Sequence, residues 1–408
     1  MKKIKGGNGM KEIKMFLTFA VAGILKKGKN IVNNEKYEIY QNECGDRYIH
    51  GKNNEFNMYF RKSDGFTAKW GKTFDDDPAF NPYGNEIADI EITKKCRGIR
   101  VFDENSSEKK GNRVPCAFCY KSSSPIGSYM TFDTFKKIFD VMNESKTMTQ
   151  IAFGVDAEAS EELNPDIWKI FEYTKNNGVT PNVTVADITP YTAEKIVSLC
   201  GACAVSAYQS NKNCCYDSIR LLLDEAKKQG KENFAVNIHL MISKETLPFV
   251  YEVINDYQTD SRLDGMNAIV FLSLKQKGRG EHFNKVTEDE FKNVIDICFE
   301  KNVKFGMDSC SANKFLKAVE GKENFNELSS MVENCESVLY STYVNADGKM
   351  FPCSFMEKEG DWKDGIDVTK IENFVNDVWY SEPVKKYREA SLKCIECKGC
   401  NECPYYDV

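Results

Sequence analysis

Two cysteines separated by two residues, Cys116 and Cys119, constrain the fold of this chain more than any other feature. A third, Cys96, precedes Cys116 with nineteen residues between them, directly after the strand-like apolar run 87–93. Three thiolates can hold three irons of a cubane iron–sulfur cluster and leave the fourth iron open to another ligand. Thiolate also suits zinc, and redox-active pairs share the spacing, so the pair alone leaves these alternatives open.

A second group of cysteines stands near the C-terminal end of the sequence. Four thiols fall within ten residues and two stand upstream: Cys394, Cys397, Cys400, Cys403, Cys335 and Cys353. The run fits a tetrahedral zinc site or a four-iron cluster, and we favour iron because the first group already points to it. Sixteen cysteines in 408 residues, at such spacings, indicate metal binding in a reducing compartment rather than disulfides. Six others are expected to pack as small apolar side chains: Cys44, Cys200, Cys203, Cys214, Cys215 and Cys298.

The composition excludes some classes of partner. Net charge is −6 and the pI is about 5.5, so no global basic field favours nucleic acid. The apolar run 15–25 has eleven residues, which is too short to span a bilayer. We interpret this run as a short amphipathic or buried helix rather than a signal peptide, and we predict a cytoplasmic protein without a membrane partner.

Strand and helix patterns alternate from residue 88 onward. Six strand–helix units and a seventh strand at 303–307 indicate a parallel sheet. We predict an α/β fold, a partial (β/α)6 barrel of the TIM type with an N-terminal β-rich extension and a C-terminal cysteine-rich domain. The expected boundaries are 1–86, 87–322 and 323–408. Active sites of such barrels lie at the carboxyl ends of the strands, which is where the first cysteine group follows a strand.

Local signals predict where smaller elements begin. Thr287 and Glu290 form a capping-box pattern for a helix that reaches residue 300. Asn164, Thr192 and Ser243 are expected to cap three further helices. Strand patterns in the N-terminal extension cover 37–40, 56–61 and 66–70.

The sequence Cys116-Ala117-Phe118-Cys119 resembles the radical SAM superfamily. That superfamily carries C-x3-C-x-aromatic-C in the loop after the first barrel strand, and Phe118 takes the aromatic position. The spacing departs from the signature, because nineteen residues stand where three are usual. We interpret the polar segment 103–111 as a solvated insertion, which costs little closure entropy. The resemblance implies that Cys96, Cys116 and Cys119 hold a 4Fe-4S cluster that binds S-adenosylmethionine.

The C-terminal group resembles the SPASM domain, a module that carries auxiliary four-iron clusters in many radical SAM enzymes. The turn Asp347-Gly348-Lys349-Met350-Phe351-Pro352-Cys353 is typical of it, although the final cysteines are more tightly spaced than usual. The resemblance implies one or two auxiliary 4Fe-4S clusters held by this second group, with Cys310 as a candidate additional ligand.

The same resemblance implies where S-adenosylmethionine binds. Gly154-Val155-Asp156-Ala157-Glu158 follows the second strand, where the family has a Gly-Gly-Glu-Pro-like turn for the amino group. Gly154 allows close backbone approach, and Asp156 or Glu158 is the candidate to pair with the ammonium. Phe118 belongs to the same cofactor-binding set. An ordinary strand-to-helix loop is the structural alternative.

Further cofactor-binding candidates come from later strands. Ser206 is the candidate to bind the ribose, with Thr184 and Asn237 as weaker candidates, although a half-buried strand serine bonded to the backbone is the more common arrangement. Arg279 lies in a Gly-Arg-Gly turn and is the candidate to hold a carboxylate, against the alternative of a solvated basic turn. His239 is interpreted as a core histidine.

If the resemblance holds, the protein is an enzyme that reductively cleaves S-adenosylmethionine to a 5′-deoxyadenosyl radical, which abstracts hydrogen from a substrate. A ribosomally made peptide is the leading substrate, with residues 1–86 as its candidate binding region, and flavodoxin or ferredoxin is the expected electron donor. One alternative is a radical SAM enzyme acting on a nucleoside, sugar or other small molecule. Another is a non-catalytic iron–sulfur electron carrier or a zinc-stapled binding protein. No catalytic side chain follows from the sequence.

Overall fold

The computed structural model describes residues 8–101, 112–333, 335–398, 403 and 406. Its strands are β1 Lys29–Asn33, β2 Tyr37–Gln41, β3 Arg47–Gly51, β4 Asn57–Phe60, β5 Thr67–Trp70, β6 Ile87–Glu91, β7 Ile99–Val101, β8 Asn112–Val114, β9 Gln150–Gly154, β10 Thr180–Val185, β11 Ala202–Ala207, β12 Ala235–Ile242, β13 Ala268–Ser273, β14 Phe305–Met307, β15 Ser341–Val344, β16 Lys349–Phe351 and β17 Ile366–Asp367. Its helices are α1 Asn8–Lys27, α2 Phe132–Met142, α3 Ile167–Asn176, α4 Pro190–Leu199, α5 Lys212–Lys228, α6 Leu247–Thr259, α7 Glu288–Glu300, α8 Ala312–Val319, α9 Phe325–Ser330 and α10 Glu382–Lys398.

Seven parallel strands form the predicted partial barrel, in the order β14-β13-β12-β11-β10-β9-β6. Helices α2 to α7 each follow one strand, as the alternation of patterns predicts. Side chains alternate along the strands, and on β12 Ile238 and Leu240 are buried while His239 and Met241 face the interior cavity. Hydrophobic burial on the helix side therefore holds the sheet, and the inner face remains available for ligands. The α/β barrel prediction is confirmed.

The C-terminal hairpin extends this sheet beyond its first strand. Strand β15 pairs in parallel with β6, with Ser341 opposite Ile87, and β16 and β17 follow in antiparallel order. Gly348 has φ +76 in the turn between β15 and β16, a conformation that glycine adopts without strain. The pairing places the hairpin beside the strand that leads into the first cysteine group.

The N-terminal extension is a five-stranded antiparallel sheet in the order β1 to β5, which confirms the predicted β-rich region. The apolar run 15–25 lies within α1, whose Leu17 and Ile24 are buried against aromatic side chains of that sheet. Helix α1 has twenty residues, longer than the eleven-residue run. Among the described helices, none combines the length and apolarity needed to cross a membrane.

Arg47 connects this sheet to the amino ends of the barrel strands. Its guanidinium donates to Met148 O at 2.9 Å and to Gly178 O at 2.7 Å, and Tyr37 Oη donates to Ser145 O at 2.9 Å. Arg47 is buried, and burial lowers its pKa to about 10. The extension is therefore attached at the end of the barrel opposite the first cysteine group.

Local expectations had mixed outcomes. The Thr287 capping box is present at the start of α7. The Thr192 cap is wrong, because α4 begins after Thr189. Asn164 and Ser243 accept from the backbone of the turns that lead into α3 and α6, from Asp166 N at 3.0 Å and from Thr246 N at 3.3 Å, although the helices begin after Asp166 and Thr246. The Nδ2 of Asn164 also donates to Ile92 O at 2.8 Å, a long-range contact that the local pattern does not reveal. Cys44 is exposed rather than buried, whereas the other five cysteines expected in the core are buried.

Candidate functional site

The thiols of Cys96, Cys116 and Cys119 line one cavity of about 420 Å³ at the carboxyl ends of β6, β9, β10 and β11. Strands β7 and β8 pair between Cys96 and Cys116, with Ile99 opposite Val114. This hairpin corrects the simple insertion that the sequence predicts, because its pairing returns the chain and brings the two cysteines together. The polar segment 103–111 that was expected to be solvated lies outside the described residues.

Close backbone packing holds the base of this hairpin. Gly98 has φ +87, and a Cβ atom there would lie 2.0 Å from Val114 O, so only glycine fits. The guanidinium of Arg113 donates to Gly98 O at 2.9 Å and to Asp187 Oδ1 at 2.9 Å. The hairpin is thus fixed both to the cysteine loop and to the loop after β10.

The surroundings of the thiols fit a bound iron–sulfur cluster. Gly98 N donates to Cys96 Sγ at 3.3 Å, and the Tyr208 hydroxyl donates to the thiol of Cys116. Burial raises the pKa of Cys116 to about 11 and also raises the pKa of Cys96, so iron would supply the positive charge that stabilises their thiolates. Within the described ranges no three cysteine, histidine or carboxylate groups are arranged around a single ion. A cubane cluster does not require its ligands to converge on a single ion, because each thiolate binds a different iron.

The turn that contains Gly278 and Arg279 supports the cysteine loop. Arg279 N donates to Cys119 O at 3.1 Å, Arg279 Nε donates to Cys116 O at 2.8 Å, and Arg279 Nη1 donates to Ser123 O at 3.2 Å. Gly278 has φ +58, and a Cβ atom there would lie 2.4 Å from Tyr120 O. The guanidinium predicted to hold a carboxylate therefore positions the loop that carries two of the thiols.

Most of the predicted cofactor-binding residues line the same cavity: Phe118, Gly154, Asp156, Thr184, Ser206 and Arg279. Asn237 does not line it, because it lies near the amino end of β12, where Asn267 Nδ2 donates to its Oδ1 at 2.8 Å. Tyr208 was missed, although it follows Ser206 by two positions and stacks on Phe118 at 5.0 Å between ring centroids. Residues two positions apart on a strand lie on the same face, so the position of Tyr208 two residues after Ser206 could have identified it from the sequence.

The two acids predicted to receive an ammonium are bound within the chain. Asp156 accepts from Ser160 N at 2.8 Å and from Glu158 N at 3.3 Å, and burial raises its pKa to about 6. Glu158 pairs with three guanidinium groups: Arg97, Arg100 and Arg113. The resulting network joins the loop after β9 to the β7–β8 hairpin, so both carboxylates have structural partners.

Four further thiols form a second group: Cys310, Cys335, Cys353 and Cys403. Their charges act on one another: in addition to burial, Cys335 and Cys353 raise the pKa of Cys310, and Cys403 raises the pKa of Cys335 and of Cys353. Burial raises the pKa of Cys310 to about 12 and that of Cys353 to about 11. Tyr406 N donates to Cys403 Sγ at 3.3 Å, and buried Lys275 bonds to both Cys310 and Asp308. Cys400 lies outside the described residues, as do the side chains of Cys394 and Cys397.

One family model and two solved structures are similar to this chain. The model of the SPASM iron-sulfur cluster-binding domain matches residues 335–404. A crystal structure of Streptococcus suis SuiB bound to S-adenosylmethionine is similar over 77% of this chain and 69% of that one, at 12% identity and a TM-score of 0.53. A second structure of SuiB is similar over 74% of this chain and 67% of that one, at 11% identity and a TM-score of 0.50. The chain shares the fold of SuiB and carries a SPASM iron-sulfur cluster-binding domain.

No curated protein matches the sequence significantly. The domain match confirms the SPASM part of the sequence-based resemblance, and the similarity to SuiB confirms the predicted fold. The domain match covers Cys335, Cys353 and Cys403, whereas Cys310 comes from the barrel, directly after β14.

The SPASM domain forms part of the wall of the cavity that Cys96, Cys116 and Cys119 line. Tyr343 and Ser354 line the cavity. Lys121 from the cysteine loop pairs with Glu357 and lies 3.6 Å from Glu91, while Ala346 N donates to Glu91 Oε2 at 3.3 Å. These contacts couple the two cysteine groups through buried charge pairs, so movement of one would disturb the other.

Proposed function

We propose that the protein reductively cleaves S-adenosylmethionine and uses the resulting radical to modify a ribosomally made peptide. The observation that carries the first part is the convergence of Cys96, Cys116, Cys119 and Phe118 on one cavity, in a fold similar to that of SuiB bound to S-adenosylmethionine. When bound, the reduced 4Fe-4S cluster supplies the electron that splits the cofactor into methionine and a 5′-deoxyadenosyl radical.

The residues around the cavity have distinct proposed roles. Phe118 and Tyr208 form a stacked aromatic surface beside the thiols, and Thr184 and Ser206 offer hydroxyl groups from neighbouring strands. Gly154 would allow the cofactor to approach the backbone, and its place beside Glu91 is already tight, since a Cβ atom at Gly154 would lie 3.1 Å from Glu91 Cα. Because Asp156 and Glu158 are bound within the chain, backbone carbonyl groups at this strand end are the better candidates for the ammonium.

We assign the auxiliary cluster to Cys310, Cys335, Cys353 and Cys403. Their grouping supports this assignment, as does a second shell of N–H donors: the backbone groups near Cys353 and the amide of Tyr406. The three other tail cysteines are proposed ligands of a second auxiliary cluster: Cys394, Cys397 and Cys400. A small electron carrier such as flavodoxin or ferredoxin is the proposed donor.

The peptide part of the proposal rests on the SPASM domain and on the N-terminal sheet. Strand β5 is an edge strand of that sheet, and Phe66, Ala68 and Trp70 line a cavity of about 310 Å³ between it, α1 and the barrel. An extended peptide can add to such an edge through main-chain hydrogen bonds. We propose that residues 1–86 recognise the peptide, 87–322 carry the radical chemistry and 323–408 hold the auxiliary clusters.

Reconstitution under anaerobic conditions tests the first part of the proposal. Protein loaded with iron and sulfide should convert S-adenosylmethionine to 5′-deoxyadenosine when dithionite is added. The double variant Cys116→Ala/Cys119→Ala should lose about four irons and all cleavage, because a four-iron cluster needs its thiolates. The exposed Cys44→Ala is the matched control and should retain both. Cleavage by the double variant would refute the proposed function.

A further inference from the structure

One carboxylate in the barrel interior has no partner among the described residues. Asp89 lies in the middle of β6, paired in register with Ala152 on one side and Tyr343 on the other. Its exposed surface belongs to the wall of the 420 Å³ cavity, because the strand is interior to the sheet. No hydrogen bond or ion pair to its carboxyl group is present in the described part of the chain.

The position of Asp89 is deep. It precedes Glu91 by two residues on the same face of β6, which places it roughly 7 Å further from the cysteine loop. Opposite it, the small side chain of Ala152 leaves space rather than filling it. The carboxylate therefore points into open volume beneath the thiols.

The cations around the cavity are occupied elsewhere. Lys121 pairs with Glu357 and Glu91, and Arg279 donates to backbone carbonyl groups of the cysteine loop. Lys95 lies over the ring of Tyr129 at 4.9 Å. His239 faces the cavity, but burial lowers its pKa to about 4, so the imidazole is neutral near pH 7.

Asp89 keeps access to solvent through the cavity, so its unpaired carboxylate becomes costly when a ligand fills the cavity and displaces that water. The low-polarity surroundings, and then the charge of Glu336, raise the pKa of Asp89 to about 6, so the group is still charged at pH 7 and above. A ligand cation would compensate that charge most fully. A neutral hydrogen-bond donor would compensate less of it, and an anionic group would add to the cost.

We propose that Asp89 binds a cationic group of the substrate, a primary ammonium or a guanidinium, at the base of the cavity. The proposal rests on the proposed function, and for a peptide substrate it selects a lysine or arginine side chain as the one that enters the barrel. Asp89 would orient that side chain beneath the thiols through a charge-assisted hydrogen bond.

Two small probes test this inference without the radical reaction. Nα-acetyl-lysine methylamide and Nα-acetyl-norleucine methylamide share a backbone and differ by one ammonium group. Calorimetric titration of the anaerobically reconstituted protein, without S-adenosylmethionine or reductant, should show the lysine probe binding about ten- to a hundredfold more tightly. Equal binding of the two probes by the unsubstituted protein, or no binding of either, overturns the proposal.

A pair of variants assigns the preference to Asp89. Asp89→Asn keeps the shape of the side chain and removes its charge, so it should bind both probes equally. Asp361→Asn, on the exposed Asp361 that pairs with Lys386, is the control and should keep the preference. A preference that survives in folded Asp89→Asn refutes the role of Asp89. The binding assay contains neither S-adenosylmethionine nor a reductant, so it does not depend on cofactor cleavage. If the protein failed to cleave S-adenosylmethionine in the separate assay, the proposed function would be refuted, and the binding result for Asp89 would still stand.

Discussion

Replacing Arg279 by methionine should loosen the cysteine loop. The side chain donates two charge-assisted hydrogen bonds to Cys116 O and Ser123 O, at 2.8 and 3.2 Å. Such bonds contribute about 1.5–3 kcal/mol each when buried, and Arg279 is only half-buried, so we expect a loss of about 2–4 kcal/mol in the free energy of unfolding. The backbone bond from Arg279 N to Cys119 O remains, so the loop should loosen rather than unfold.

Two measurements report the effect of Arg279→Met. Urea unfolding of the metal-free, reduced protein gives the loss of stability, and iron analysis after buffer exchange gives the retention of the cluster. Arg220→Met is the matched control: Arg220 pairs with Asp224 one helical turn away and donates one hydrogen bond to Asp264 O at 3.1 Å, away from the cysteine loop, so the change should cost about 1–2 kcal/mol and leave the cluster in place. If Arg279→Met behaves like this control in both assays, the guanidinium does not support the loop.

Two further predictions concern the auxiliary site and the barrel interior. Cys310→Ala should lose about four irons after reconstitution while Cys44→Ala loses none; full iron content in Cys310→Ala would mean that the tail cysteines suffice. Burial lowers the pKa of His239 to about 4 in the folded protein, against an ordinary value of 6.5. Between these two pH values the unfolded chain binds a proton that the folded chain does not. The free energy of unfolding should therefore fall as the pH drops from 6.5 towards 4, by about 3 kcal/mol in all. His239→Gln should flatten that part of a plot of unfolding free energy against pH, and an unchanged slope would show that another group titrates there.

The architecture and the nearness of Cys116, Phe118 and Cys119 follow from local patterns in the sequence. Alternation of buried and exposed positions, as on β12, depends on the period of a strand and can be read from neighbouring residues alone. The same holds for the Thr287 capping box, in which both partners lie within one turn. Cys116, Phe118 and Cys119 sit on one short loop, so their convergence needed no long-range information.

The partners of the isolated polar groups depend on the packing of distant segments. Asp156 and Glu158 are predicted to meet a ligand, but backbone amides and distant arginines bind them, and the Nδ2 of Asn164 donates to a carbonyl on another segment. Cys310 joins Cys335 and Cys353 because the end of the barrel packs against the SPASM domain. Asp89 is the converse case, a strand residue that faces the cavity and finds no partner among the described residues. The spacing of residues along the chain determines the periodicity of strands and helices and the position of turns. The pairing of buried charges depends instead on which segments packing brings together.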